Sequence, residues 1–338
     1  MALYCGIDLH STNSWIVVLE GTQKVMLDVR VPNDLKEVLA ELEPFREGLA
    51  GIAVESTFNW YWLVDGLMDA GYRVHLVNTW ASQQYKGLKY TDDRHDARWL
   101  AHMLALGILP EGHIYAREDR LVRDLLRRRA LLVKVRTSLL LSLRGNVERL
   151  TGERVGINHI KRWTGDGLEE FIGEPVARIG IESLLVSTQA LTTEIKKLEQ
   201  EVLRRARKRE EYPFLTSVWG VGPILGMAIL YETGDISRFA KVGNFTSYCR
   251  LVESRWTSNS KKKGTGNRKN GNPYLSWAFS EVGHFAQQHH AEARKYFQRK
   301  RARTNGIVAA RAVAHKLARA SYYVMRDRVV FDPERIFG

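Results

Sequence analysis

The sequence has very few cysteines and no long apolar run. Cys5 and Cys249 are the two cysteines among 338 residues, and Cys5 lies in an apolar segment. Both facts argue against a disulfide framework and against a cysteine-based zinc site. No stretch of about 18 apolar residues occurs, and the start lacks a basic segment followed by a long apolar one. We therefore expect no membrane partner and no signal peptide, and a reducing cytoplasm as the compartment.

Basic residues outnumber acidic ones after residue 100, whereas the reverse holds before it. Residues 1–100 hold 9 Lys and Arg against 14 Asp and Glu, whereas the remaining 238 residues hold 42 against 24. Basic segments attract polyanions because they neutralise phosphates and release counterions. A membrane surface would require basic amphipathic helices with an apolar face. Here the basic residues lie in Gly- and Asn-rich or polar runs, which favours nucleic acid as the partner.

Hydrophobic periodicity predicts alternating strands and helices in the first part of the chain. Short runs rich in β-branched residues are typical of strands, and helical spacing follows capping residues. The order β-β-β-α-β-α-β-α is that of the RNase H-like fold, in which helices flank a five-stranded mixed sheet. The predicted strands cover residues 3–9, 14–20, 24–31, 51–55 and 72–77, and the predicted helices cover 33–45, 60–69 and 93–106.

The rest of the chain is predicted to be mainly helical. A long leucine-rich pattern over 118–150 carries Arg127 and Arg128 on its other faces, and Arg204 and Arg205 follow a heptad pattern over 181–203. The heptad fits an oligomerisation helix and, equally well, a helix packed on its own domain. We expect a catalytic domain with a basic helical extension (1–150), a linker and coiled coil (151–210), and a C-terminal domain (211–338). The heptad rows are Ile181, Thr188, Ile195 and Val202, and Leu184, Leu191 and Leu198.

Four carboxylates are the candidate catalytic residues. Asp8 ends the first predicted strand and Glu55 the fourth, and these strands are neighbours in an RNase H-like sheet. Asp93 and Asp96 share one face of a helix because they are three residues apart. Converging carboxylates need divalent cations, and Mg²⁺ prefers such oxygen ligands. We predict two Mg²⁺ ions, for which Mn²⁺ can substitute.

Each of these acids also has a structural interpretation. Asp8 can be a turn residue, and Glu55 can cap the following helix. Asp92, Asp93 and Asp96 can form an acidic first turn that complements the helix dipole. Asp92 competes with Asp93 as the partner of Asp96, because residues four positions apart on a helix also share a face.

Two further motifs indicate nucleic-acid binding. The turn Val218–Gly222 resembles the hairpin of a helix-hairpin-helix element, in which Gly220 and Gly222 offer backbone N–H groups to a phosphate. Taken alone, this five-residue pattern favours a tight helix-helix turn. Ser258, a candidate nucleophile, precedes a Gly/Lys/Asn-rich segment that suits a phosphate backbone or forms a solvated loop. The basic residues of that segment are Lys261, Lys262, Lys263, Arg268 and Lys269.

Together these motifs resemble the IS110/IS1111 family of transposases, related to the Piv DNA invertases. The matching segments are Y-C-G-I-D-L-H, A-V-E-S-T, T-D-D-R-H-D-A-R-W-L-A, V-W-G-V-G-P, F-T-S-Y-C-R-L-V-E-S, S-N-S-K-K-K-G and K-N-G-N-P-Y-L. The segment T-D-D-R-H-D-A-R-W-L-A favours Asp93 over Asp92 as the ligand. The segment S-N-S-K-K-K-G places Ser258 at the family's nucleophile position. Cys249-Arg250 stands where the family pattern has Ala-Gly, Val252-Glu253 also departs from the pattern, and Ser276 replaces an Arg.

The resemblance implies a recombinase of a mobile element that cuts and rejoins DNA strands. It implies a RuvC-like domain with an Asp-Glu-Asp-Asp (DEDD) metal site, a coiled coil and a C-terminal domain with a catalytic serine. It further implies a structured non-coding RNA that bridges donor and target DNA, a dimer or tetramer, and association with the prokaryotic nucleoid. The alternatives are a RuvC-like structure-specific nuclease and a non-catalytic nucleic-acid-binding protein.

Overall fold

The chain divides into two compact units, Met1–Arg117 and Glu118–Gly338. The computed structural model describes residues 2–82, 92–163, 168, 172–206, 209–253, 256–258, 261–264 and 270–338. A five-stranded sheet lies in the first unit, and a two-stranded sheet lies in the otherwise helical second unit. The finer division at residues 150 and 210 stays a prediction.

A mixed sheet forms the centre of the first unit. Its strands are β1 (Leu3–Leu9), β2 (Asn13–Glu20), β3 (Lys24–Pro32), β4 (Leu49–Glu55) and β5 (Val74–Val77). They lie in the order β3-β2-β1-β4-β5, with β1, β2 and β3 antiparallel and β1, β4 and β5 parallel. The mixed α/β class expected from the sequence is confirmed.

Helices cover both faces of this sheet. They are α1 (Leu35–Leu42), a 3-10 helix (Glu43–Gly48), α2 (Tyr61–Asp69), α3 (Thr79–Ser82) and α4 (Asp93–Ala105). Successive strand residues point to opposite faces, which separates two sets of apolar side chains. Ile7 and Leu63 of α2 belong to the apolar cluster on one face. Val17 packs with Ala97 of α4 on the other face.

The second unit is built mainly from helices. Its longest helices are α5 (Arg117–Thr151, which begins at the last residue of the first unit) and α7 (Pro175–Ala206). The other elements are α6 (Ile157–Ile160), α8 (Tyr212–Thr216), α9 (Pro223–Thr233), a 3-10 helix (Ile236–Arg238), α10 (Val242–Tyr248), β6 (Trp256–Ser258), β7 (Lys261–Gly264), α11 (Pro273–His289), α12 (Ala291–Arg303), α13 (Gly306–Asp327) and α14 (Pro333–Phe337).

Helices α5 and α7 form an antiparallel pair within the chain. Arg129 of α5 lies 2.6 Å from a carboxylate oxygen of Glu199, and Arg136 donates to Thr192 at 3.3 Å. Later residues of α5 therefore meet earlier residues of α7. The first heptad row of α7 is buried in this single chain, whereas the second row is half-buried. The helical heptad is thus accounted for in part by packing within its own unit, and its role in assembly stays a prediction.

An aromatic core joins the later helices. Phe245, Phe279 and Tyr322 are fully buried, and the Phe245 ring contacts Phe279 edge-to-face and Tyr322 in a tilted arrangement. The Tyr322 hydroxyl donates to the backbone oxygen of Phe239 at 2.8 Å, which satisfies its one polar group in the core. Within the described ranges, no helix is both long enough and apolar enough to span a membrane.

Candidate active site

The parallel pairing of β1 with β4 brings two of the predicted acids together. Ile7 is the register partner of Val54, so Asp8 and Glu55 follow at neighbouring strand ends. Asp8 is 2% exposed, whereas Glu55 is half-buried. A carboxylate this deeply buried requires a compensating partner. The end of β1 is therefore the centre of the candidate site.

A close helix–strand contact brings α4 to the same place. A β-carbon on Gly6 would lie 2.0 Å from the backbone oxygen of Ala97, so only glycine allows α4 to pack directly on β1. Arg94 fixes the start of α4 by pairing with Asp28 at 2.6 Å. As a result, Asp93 in the first turn of α4 lies near Asp8.

Asp92 and Asp93 have different surroundings. The Asp92 side chain accepts a hydrogen bond from the His95 backbone N–H at 2.8 Å and caps α4. Asp93 instead points to the strand end, where its Oδ1 lies 3.1 Å from His10 Nε2. This arrangement favours Asp93 as the ligand, although the assignment itself stays a prediction.

His10 is a member of the site that the sequence interpretation missed. Its Nε2 lies 3.1 Å from Asp8 Oδ2 as well as from Asp93 Oδ1, and one ligand atom of each of these three residues lies within 4.8 Å of the others. The Asn33 and Asn59 amides donate to the His10 backbone oxygen at 2.9 and 3.0 Å and hold the segment. The spacing between Asp8 and His10 could have indicated this role, because side chains two residues apart in an extended chain point to the same side.

The negative charges of the site act on Asp8. Burial raises the pKa of Asp8 most, and the Glu55 carboxyl and the charges of Asp96 and Asp93 raise it further, to about 9. No group in the described residues forms a hydrogen bond with the buried Asp8 Oδ1. An unsatisfied buried oxygen beside several carboxylates fits a divalent cation, for which carboxylate oxygens are suitable ligands.

Ser258 lies in a β-hairpin of the second unit. It is the last residue of β6 and the register partner of Lys261 in β7. Its side chain, and that of Lys262, lie outside the described part of the structure. Lys261 and Lys263 are exposed on β7. The predicted ligands Arg268 and Lys269 also fall outside the described residues.

The two ends of this hairpin segment are tied together. The Arg250 guanidinium donates to the backbone oxygens of Asn270 and Gly271 at 3.1 and 3.2 Å. The Asn272 backbone N–H donates to the Tyr248 oxygen at 2.6 Å. Gly271 has φ +88°, and a β-carbon there would lie 2.5 Å from the same Tyr248 oxygen. The backbone on both sides of the hairpin is therefore held in one place.

Among the other predicted nucleic-acid ligands, Arg127 lies in an internal ion pair. It donates to both oxygens of Glu232, at 2.6 and 2.8 Å, and its guanidinium lies 4.3 Å from the centre of the Tyr274 ring. Arg128 is exposed, and Arg204 and Arg205 both pair with Glu201. The structure gives Arg127 a structural role, while all four remain predictions as nucleic-acid ligands.

The two glycines of the predicted hairpin turn have different environments. Gly220 has φ +83°, and a β-carbon would lie 2.4 Å from the Val282 oxygen, so the turn packs closely on α11. Gly222 is the N-cap of α9 and offers no side chain to cap it. A cleft of about 490 Å³ next to this turn is lined by residues that include Trp219, Phe285 and both glycines.

Comparison with known proteins accounts for most of the chain. Residues 5–151 match a DEDD transposase family of IS110 type, and residues 212–298 match the transposase IS116/IS110/IS902 family. A "Probable family 20 transposase" of Pseudomonas aeruginosa is 25% identical over 66% of this chain and 67% of its own length. An "Insertion element IS116 uncharacterized 44.8 kDa protein" of Streptomyces clavuligerus is 23% identical over 98% of this chain and 96% of its own length.

The chain belongs to the IS110 family of insertion-sequence transposases. Family membership makes DNA its partner. The resemblance identified in the sequence is therefore confirmed.

Proposed function

We propose that this transposase cuts and rejoins DNA strands at a divalent-metal site in an RNase H-like first unit. The observation that supports this most directly is the proximity of Glu55 and Asp93 to Asp8, whose buried Oδ1 lacks a hydrogen bond within the described residues. We assign the metal site to these three residues and Asp96, with two Mg²⁺ ions for which Mn²⁺ substitutes.

The residues of the site have separate roles in this proposal. Bound divalent ions would neutralise the carboxylates and polarise a DNA phosphate. Asp8 holds the centre of the site because its strand is the middle one of the sheet. His10 Nε2 lies 3.1 Å from a carboxylate oxygen of both Asp8 and Asp93, so its imidazole occupies the space between the two acids. Gly6 sets the distance between α4 and β1.

Ser258 is the proposed nucleophile. Its hydroxyl oxygen bonds to a DNA phosphorus, the bond from that phosphorus to one deoxyribose oxygen breaks, and a base transfers the serine proton to that leaving oxygen, which becomes a hydroxyl. Attack by a deoxyribose hydroxyl on the serine-linked phosphate rejoins a strand and releases Ser258. Lys261 and Lys263, exposed on the neighbouring strand, bind the DNA backbone during both steps.

RNA guidance and assembly complete the proposal. The basic runs at 204–209 and 261–269 bind a structured non-coding RNA that bridges donor and target DNA, and the turn with Gly220 and Gly222 contacts a phosphate. A dimer or tetramer assembles through α7 as a coiled coil. The support is the basic charge after residue 100 and the half-buried second heptad row.

A covalent-adduct assay tests the chemistry. Wild-type protein incubated with end-labelled element DNA and Mg²⁺ should give a protein–DNA adduct on a denaturing gel. Ser258→Ala and Asp93→Ala should give none while still binding DNA, and Ser280→Ala, an exposed serine of α11, should match the wild type.

Each contrary outcome identifies a different function. Adduct formation by Ser258→Ala would refute the serine assignment. Metal-dependent cleavage without any adduct, even in the wild type, would indicate a RuvC-like structure-specific nuclease. Wild-type recombination by Asp8→Asn would remove the metal site from the mechanism, and binding without any cleavage would indicate a non-catalytic protein.

A further inference from the structure

A strongly basic corner lies where α12 meets α13. Lys295, Arg299 and Arg303 recur every four residues, so they form one row along α12 with about 6 Å of helix rise between neighbours. All three are exposed, as are Lys300 and Arg301. We call residues 294–308 the basic corner. Its last ten residues follow the segment that matches the family.

These cations lack the partners that other exposed arginines of the second unit have. Arg204 and Arg326 each pair with an acid on their own helix. In contrast, no described carboxylate forms an ion pair with Lys295, Lys300 or Arg303. Like charges four residues apart destabilise a helix. A polyanion bound along the row would remove that repulsion.

An exposed apolar tip follows the cations directly. Ile307 is 83% exposed and Val308 is 47% exposed in the first turn of α13. The Asn305 side chain accepts a hydrogen bond from the Val308 N–H at 2.9 Å, which fixes this turn. Ala309 and Val313 anchor the same helix in the core. The tip is therefore a fixed apolar projection beside a row of cations that form no ion pair with a described carboxylate.

We propose that the basic corner binds duplex DNA, with the cations of α12 on phosphates and Ile307 and Val308 against bases in the adjoining groove. Phosphate neutralisation supplies affinity, and apolar side chains of DNA-bending proteins insert at base steps in this way. The charge selects a polyanion, and family membership makes DNA the partner. The inference rests on neither the metal site nor Ser258.

Salt dependence of binding tests the cations. The full chain is titrated with a duplex of about 40 base pairs, which is four helical turns, over a series of salt concentrations. The triple variant Lys295→Gln, Arg299→Gln, Arg303→Gln should lower the slope of log K against log salt by about 2.7, since each phosphate contact contributes about 0.9. A matched control removes three exposed lysines elsewhere, Lys134→Gln, Lys196→Gln and Lys197→Gln, and should keep most of the slope.

The apolar tip has a different signature. Ile307→Ala should weaken duplex binding about tenfold, as expected for losing most of a buried side chain, and should leave the slope unchanged. Circular dichroism of every variant should match the wild type, and thermal unfolding should show no loss of stability, because the substituted side chains are exposed.

Four results would overturn the proposal. The first is an unchanged salt slope in the triple variant, and the second is an equal loss of slope in the control variant. The third is a triple variant that binds structured RNA more weakly but duplex DNA as well as the wild type does. The fourth is an Ile307→Ala variant with altered sedimentation and unchanged DNA affinity. The last would make the tip a contact between copies of the chain.

Discussion

The buried carboxylate of Glu232 offers the sharpest test of how the second unit is held together. Glu232 is 1% exposed and receives hydrogen bonds from Arg123 at 3.0 Å, from Arg127 at 2.6 and 2.8 Å, and from the Asn272 amide at 2.7 Å. Burial raises the pKa of Glu232, but Arg127, Arg123 and Asn272 outweigh it and lower the pKa below its ordinary value. The buried charge is therefore compensated in full by its neighbours.

Glu232→Gln should destabilise the protein by about 3 kcal/mol, the lower end of the cost of removing one member of a buried ion pair. The lower end applies because the amide of the substituted glutamine keeps the shape of the Glu232 carboxylate and part of its hydrogen bonding. For a unit of this size that corresponds to a fall in Tm of about 6–12 °C. The measurement is thermal unfolding of the full chain, followed by circular dichroism.

The neighbouring arginines provide the matched control. Arg127→Gln should cause a similar loss because it leaves Glu232 with fewer partners, whereas the exposed Arg128→Gln should be neutral. The lowered pKa sets the pH dependence: the stabilisation is present above the unfolded pKa and is lost as pH falls through the folded one. The difference in Tm between the wild type and Glu232→Gln should therefore become smaller below about pH 4.5. A fall of less than 2 °C for Glu232→Gln, or a stable Arg127→Gln that loses DNA affinity, would refute this reasoning.

Three other predictions concern the first unit and assembly. In chelator, Asp8→Asn should be more stable than the wild type, by a margin that grows as pH rises toward 9, because a raised pKa makes ionisation of the folded Asp8 costly; Mg²⁺ or Mn²⁺ should reverse the order, and thermal unfolding decides. Gly6→Ala should lower Tm by several degrees and abolish recombination, because its β-carbon would meet the Ala97 oxygen; an active, stable variant would contradict the packing argument. Lysine at both Leu191 and Leu198 should dissociate an oligomer in light scattering with DNA and RNA present, and an unchanged mass would mean that α7 packs only within its own chain.

The sequence was informative where local pattern and function coincide. Strand and helix order followed from periodicity, and the acids Asp8 and Glu55 could be placed at neighbouring strand ends once that order was known. The family resemblance came from short motifs that span nearly the whole chain. These features depend on residues close together in sequence, which a single chain displays directly.

Other features depend on contacts between distant residues. Arg127 looks like any basic residue of a surface helix, because its partner Glu232 is 105 residues away and belongs to an apolar helix. The first heptad row of α7 is typical of an assembly surface, but α5 buries it within the chain. His10 carried only a weak signal, since its position in the site depends on where α4 packs.

Arg250 connects the family pattern with the geometry around the serine. It stands where that pattern has glycine, and its φ of +56° is in the left-handed region that glycine adopts without strain. An arginine there carries a backbone cost of about 1–3 kcal/mol. The Arg250 side chain offsets this cost by donating to the backbone oxygens of Asn270 and Gly271. The next residue, Asn272, donates its side-chain amide to the Glu232 carboxylate. The hairpin that carries Ser258 is thus anchored to the buried ion pair, and the glycine-to-arginine departure is accommodated by a contact that glycine could not make.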